Sequence, residues 1–225
     1  MNEQELDHVL LLGDNVMDAM RDEPELLIED SKGFVEEIER LKAHKIGTLG
    51  NHDYHGLGET PLCLQEVWAA TNAAPVVRAH TLSDDWLLIN LPSIKVIPES
   101  VHGYDAMLSD EEFDKFESLL LLNDCDSQPK NVMLMSHVPI MSITPLMDRK
   151  HPMSRKSYEF PANHIHADCY RIVRMLENYP QVKLAVSGHM HMVDEVKYNG
   201  VSYINCGSLC GMWSGRETYK GHHAG

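Results

Sequence analysis

The chain has 225 residues, 43% of them hydrophobic and 24% charged, which is long enough to bury a core and too apolar for a disordered chain. Its 19 basic and 34 acidic residues give a formal charge of −15, with no basic stripe to displace phosphate counterions, so no nucleic-acid surface and no anionic membrane partner is expected. No apolar run reaches the roughly 20 residues of a spanning helix, and the acidic, polar start Met1-Asn2-Glu3-Gln4-Glu5 is no secretory leader, so the cytoplasm is the default expectation.

Residues 6–12 form a short apolar run stopped by Gly13-Asp14, the pattern of a buried strand entering a loop. Residues 23–44 place Leu26, Leu27, Phe34, Ile38 and Leu41 at helical spacing among acidic residues. A second short strand over 45–49 stops at Gly50-Asn51-His52-Asp53, and Pro61 opens a helix through Ala70. Residues 76–80 and 86–91 read as neighbouring strands joined by the Ser83-Asp84-Asp85 turn. Ser109, followed by Asp110, Glu111 and Glu112, caps a helix to about Leu122.

Residues 131–135, with Met133, Leu134 and Met135, form a buried core strand stopped by Ser136-His137. Residues 141–165 lack periodicity, contain the basic side chains Arg149, Lys150, Arg155 and Lys156, and are expected as a long surface loop or lid. A helix over 168–178, a strand over 182–186 stopped by Gly188-His189-Met190-His191, and a type I′ hairpin turning at Asn199-Gly200 complete the order. The alternation predicts an α/β fold with a hairpin component, a single domain over residues 1–225 around one core.

Five cysteines without a C-x-x-C pair argue for reduced, structural thiols, whereas the 14 histidines equal the glycines in number. Four strands end in ligand-type side chains: Asp14, Asn51 with His52, His137, and His189 with His191. Active sites in α/β folds lie where the carboxyl ends of strands open into loops. Imidazole and oxygen donors gathered from four such ends suit a transition metal such as Zn, Mn or Fe better than Ca. His55, His102, His151, His164 and His166 read as surface or loop residues, with His164 and His166 placed to touch a substrate if the loop closes.

On these residues the chain resembles the calcineurin-like metallophosphoesterases, whose blocks run D-x-H, G-D-x-x-D, G-N-H-D/E, a lone His and G-H-x-H. Here Gly13-Asp14, Gly50-Asn51-His52-Asp53, His137 and Gly188-His189-Met190-His191 stand in that order. The residues 201–213 also resemble a hairpin and loop of a bacterial branch, with Met212 and Trp213 as candidate pocket walls. The resemblance implies a four-layered α/β/β/α sandwich with metals at one edge. Two departures stand out. The second block, Gly13 to Asp18, is one residue longer than the family pattern, and no D-x-H block precedes it, because Asp7-His8 lies at the far end of the Asp14 strand. The expectation is therefore a domain of this type truncated at both ends.

The resemblance implies a metal-dependent phosphoester hydrolase that attacks phosphorus with metal-bound hydroxide and acts on a small phosphoester. It assigns Asp14, Asn51, His137 and His189 to one tightly held metal and Asp14 with His191 to a weaker second. His52 matches the family histidine that binds no metal and serves the leaving oxygen, with either Asp53 or Asp18 holding its ring. The alternative is a catalytically impaired fragment that binds a single metal or a phosphate.

Overall fold

The first apolar run forms β1 (His8–Leu11), and α1 (Pro24–Glu39) returns the chain so that β2 (His44–Gly47) pairs beside it in parallel, His8 opposite His44 and Leu11 opposite Gly47. The computed structural model describes residues 5–16, 24–54, 60–100, 102–147 and 161–209, with the backbone of two short strands at 218–219 and 222–223. After β2 a single 3-10 turn, Asn51–Asp53, leads to α2 (Leu62–Ala70), which Pro61 caps from outside the helix.

A mixed six-stranded sheet follows. It contains β3 (Arg78–Thr81), β4 (Trp86–Asn90), β7 (Asn131–Met135), β8 (Val182–Ser187), β9 (Asp194–Tyr198) and β10 (Val201–Asn205) in the order β3-β4-β7-β8-β10-β9. The pairs β4-β7, β7-β8 and β8-β10 are parallel, and the edge strands β3 and β9 run antiparallel. Asn199 and Gly200 both have positive φ (48° and 81°), the geometry a type I′ turn demands between β9 and β10.

The periodicity of β7 explains the packing. Val132 and Leu134 face one side, in a core shared with Phe113, Phe116 and Leu120 of α3 (Asp110–Asp124) and Ile172, Val173 and Leu176 of α5 (Cys169–Leu176). Met133 and Met135 face the other side and meet Leu10, Leu12 and Ile46 of the β1-β2 pair. The two sheets therefore lie face to face. Leu27, Phe34 and Val35 of α1 pack with Leu64, Val67 and Trp68 of α2 in a separate cluster. Ser109 caps α3 as the sequence suggests: its hydroxyl accepts the Glu112 N–H while the Glu112 carboxylate accepts the Ser109 N–H at 2.8 Å.

One segment differs from expectation. A small antiparallel hairpin, β5 (Ile94–Val96) with β6 (Tyr104–Ala106), lies where no strands were read. Strands of three residues are too short to show a period of two. At the two ends of the 141–165 segment, Thr144–Met147 is helical (α4) and Ala162–His164 forms a 3-10 turn. Arg149, Lys150, His151, Arg155 and Lys156, and likewise Asp18, His55, Met212 and Trp213, lie outside the described residues. The terminal strands β11 (Thr218–Tyr219) and β12 (His222–His223) pair with each other. Among the described residues no helix is long and apolar enough to cross a membrane.

The two histidines at the end of this segment part company. His164 faces the functional edge, whereas His166 is 1% exposed and neither of its ring nitrogens has a hydrogen-bond partner among the described residues. Burial pushes the His166 pKa down to about 4, against the opposing pull of Asp168 and Glu112 and with a push from Lys95. A folded pKa below the ordinary value means that acid stabilises the unfolded chain more than the folded one. The contribution is complete above pH 6.5 and is lost as pH falls toward 4. Urea melts should show stability falling between pH 7 and pH 5 as the buried His166 resists protonation. His166→Gln should flatten that part of the slope.

Candidate metal centre

The parallel strands β7 and β8 and the pair β1-β2 release their chains at the same edge. Gly13 (φ 92°) and Asp14 (φ 52°) turn sharply after β1, and His189 (φ 67°) and His191 (φ 55°) repeat the left-handed geometry after β8. Non-glycine residues in this region carry a strain of order 1–3 kcal/mol each, sustained where surrounding contacts over-determine them. Space is the second constraint. A Cβ on Gly13 would stand 2.6 Å from both Gly50 N and His137 Nδ1, and one on Gly50 would collide with the Asp14 carboxylate. Only glycine lets the two loops approach this closely.

His137 organises the site. Its ring is 1% exposed, and Nδ1 donates to the Leu12 carbonyl at 2.6 Å, across from one sheet to the other. A proton held on Nδ1 leaves Nε2 of the neutral ring with a lone pair. Around Nε2 stand Asn51 Oδ1 at 3.1 Å, His189 Nδ1 at 3.2 Å and Asp14 Oδ2 at 3.3 Å. Four electron-pair donors thus converge without enough protons to share. Ligands of one ion at about 2.1 Å are separated by roughly 3–4 Å, and these spacings fit. Donor atoms of Asp14, His137 and His189 all lie within 4.8 Å of one another, the one such group among the described residues.

The electrostatics agree with a cation. Burial alone would raise the Asp14 pKa, but His137 and His52 outweigh it and hold the carboxylate ionised well below the usual range. Burial, then His137, depress His189 to about 3, so its ring is a neutral ligand at any physiological pH. The His137 pKa is raised: burial opposes the charged form, and the Asp14 carboxylate more than compensates.

The other expected residues fall around this group. His52 donates its backbone N–H to Asp14 Oδ1 at 2.9 Å, which brings its half-buried ring beside the carboxylate. His191 is half-buried within electrostatic reach of Asp14, His137 and His52, and burial lowers its pKa. Asp53 is fully buried, and its carboxylate accepts the N–H groups of Gly50 and Asn15 at 2.8 Å each and the Asn15 amide at 3.2 Å. It ties the loop after β1 to the loop after β2. Burial and the nearby Asp14 charge push its pKa up to about 6.

Two further side chains reach the site from segments whose structure the sequence did not reveal. Tyr104 of β6 and His164 of the 3-10 turn both set their rings edge-on to His189, with centroids 6.5 and 6.4 Å away. The Asn163 amide donates to the Tyr104 hydroxyl at 2.8 Å. Burial raises the Tyr104 pKa to about 12, the Asn163 bond works against that rise, and the Asp14 charge adds to it.

An α/β chain with a mixed sheet and a cation-type cluster at the carboxyl edge of its parallel strands is the class this geometry defines. The sequence places it more narrowly: the model of the calcineurin-like phosphoesterases matches residues 2–193, and the chain belongs to that family. In fold it is similar to a dimetal phosphatase from Danio rerio, with a TM-score of 0.69 and 13% identity over 99% of this chain and 77% of that one. It is also similar to GAP50, the anchor in the inner membrane complex of Plasmodium, with a TM-score of 0.51 and 15% identity over 92% of this chain and 63% of that one. None of the curated proteins matches the sequence.

His137→Ala and His189→Ala should weaken Mn(II) or Zn(II) binding by more than the roughly 10- to 100-fold typical of losing an outer partner. Gly13→Ala should do the same without removing any ligand. Calorimetric titration and metal content by mass spectrometry decide both, and an unchanged affinity in Gly13→Ala would show that the loops have room to part.

Proposed function

We propose that the chain is a metal-dependent phosphoester hydrolase. The observation that carries this reading is the convergence of Asp14, Asn51, His137 and His189 on one point with too few protons among them. Family membership supports the reaction class. Two metals find support in the fold shared with a protein described as a dimetal phosphatase. On this reading those four residues hold Mn, Fe or Zn tightly, and Asp14 with His191 holds a second ion weakly. Held there, such a cation would supply charge neutralisation of a phosphoryl group and activation of water.

The chain's own residues then have separable tasks. Asp14 is kept anionic by His137 and His52 and can serve two ions through its two oxygens. The His137 ring is locked by Leu12, so its lone pair is aimed before any ligand arrives. Asp53 positions the loop that bears Asn51 and His52. His52, held beside Asp14 through its backbone, is the group placed to give a proton to the leaving oxygen. Asp53 or Asp18 would hold its ring.

A second reading rests on the single donor group found among the described residues, Asp14, His137 and His189, which suffices for one ion. On that reading the chain binds one metal or a phosphate and turns over poorly.

Metal analysis with hydrolysis of p-nitrophenyl phosphate and bis-p-nitrophenyl phosphate in excess Mn(II) separates the two. The hydrolase reading expects turnover that rises with the second ion, and His52→Ala lowering kcat by about 10²- to 10⁴-fold at unchanged metal content. Equal metal loss in His52→Ala and His189→Ala would make His52 a ligand or a structural residue. One tight metal without turnover at any Mn(II) concentration supports the second reading.

A further inference from the structure

Asn163 is an expensive residue where it stands. It is 8% exposed, and its Oδ1 has no hydrogen-bond partner among the described residues. A buried, half-satisfied amide costs about 1–3 kcal/mol, so its place needs a reason. Among the described residues, the one side-chain bond it makes is the 2.8 Å donation to the Tyr104 hydroxyl. That bond uses a lone pair of the phenol oxygen and leaves the phenol proton uncommitted among the described residues. Asn163 therefore occupies an acceptor position of the hydroxyl and leaves its O–H able to act as a donor.

The same hydroxyl lies on the functional edge. The Tyr104 ring meets His189 edge-on at 6.5 Å, the residue after Asn163 meets the same His189 ring at 6.4 Å, and Tyr104 feels the Asp14 charge. A backbone turn and a short hairpin thus hold two rings and one free O–H beside the donor cluster. In an acidic protein, a neutral donor beside that cluster can bind an anion's oxygen without a cationic side chain.

We propose that Tyr104 is a substrate-binding residue: its hydroxyl, aimed by the positioning residue Asn163, donates to a non-bridging oxygen of the phosphoryl group, with His164 forming the adjacent wall. The proposal rests on the phosphoesterase reading and adds to it the side of the pocket on which the phosphoryl group is held. A non-bridging oxygen is the fitting acceptor because it is anionic and carries no proton of its own, and bonds to charged acceptors are the stronger ones. The contact exists in ground state and transition state alike, so its loss falls on binding.

The test uses metal-loaded full-length protein and inorganic phosphate as the probe. Tyr104→Phe deletes only the hydroxyl. It should raise the phosphate dissociation constant measured by calorimetry about tenfold or more, and raise KM for p-nitrophenyl phosphate in parallel. The kcat and metal content should stay where they were, while the melting temperature falls modestly because the buried Asn163 amide loses its acceptor. Asn163→Ala should shift phosphate affinity in the same direction by a smaller factor, and the double variant should lose little beyond Tyr104→Phe alone, since both changes break one chain of bonds. A structural role alone would move stability and leave phosphate affinity untouched.

If wild-type protein binds phosphate and hydrolyses the ester while Tyr104→Phe does both equally well, this inference is overturned and the phosphoesterase reading stands. If metal-loaded wild type neither binds phosphate nor hydrolyses either ester, the phosphoesterase reading fails and takes this inference with it. A fall in kcat at constant KM and constant phosphate affinity also overturns it, because the hydroxyl would then act on the transition state alone.

Discussion

The hydrogen bond from His137 Nδ1 to the Leu12 carbonyl is the constraint on which the site depends. It spans two sheets that share no backbone ladder, linking the loop after β7 to the end of β1. It also sets the tautomer, so that Nε2 presents a lone pair to Asn51, His189 and Asp14. Structure and chemistry are coupled through one ring. Any shift between the sheets turns the imidazole, and any turn of the imidazole disperses the donors.

Around that bond the protein accepts local unfavourable terms. Asp14, His189 and His191 sit in left-handed geometry, and Gly13 and Gly50 stand where no side chain fits. Asp53 is fully buried with an elevated pKa, yet three N–H groups hold it. The extensive apolar layers on both faces of β7 are what allow this. Val132 and Leu134 on one side and Met133 and Met135 on the other lock the strand whose end carries His137. A rigid strand with a strained tip is a means of holding donors that repel one another when no cation is present.

Net charge and local chemistry point in different directions here. The chain is acidic overall, which disfavours anions at long range. Within the site, however, two rings are neutral ligands or proton holders and Asp14 is the counter-charge a cation needs. On the proposed reading, an ion held by these donors, rather than the protein's lysines and arginines, would be the source of positive potential for a phosphoryl group.

How much of this was legible in the sequence follows from how local each signal is. Gly50-Asn51-His52-Asp53 and Gly188-His189-Met190-His191 are contiguous, follow apolar runs, and identify both the family and the edge on which the donors meet. The Ser109 cap and the Asn199-Gly200 turn are equally local and appear where the residue types demand them. Other features were invisible. A three-residue strand has no period to detect, so the β5-β6 hairpin and Tyr104 went unread. His164 and His166 are two residues apart and chemically identical in sequence. Only packing sends one beside His189 and encloses the other in the core. The sequence by itself determined which residue types stand at the strand ends, because strands and turns are short-range choices. The tertiary structure decided which of them share a point in space, which lone pairs are left free, and that Asp53 joins two loops, because those depend on contacts between residues as far apart as Leu12 and His137.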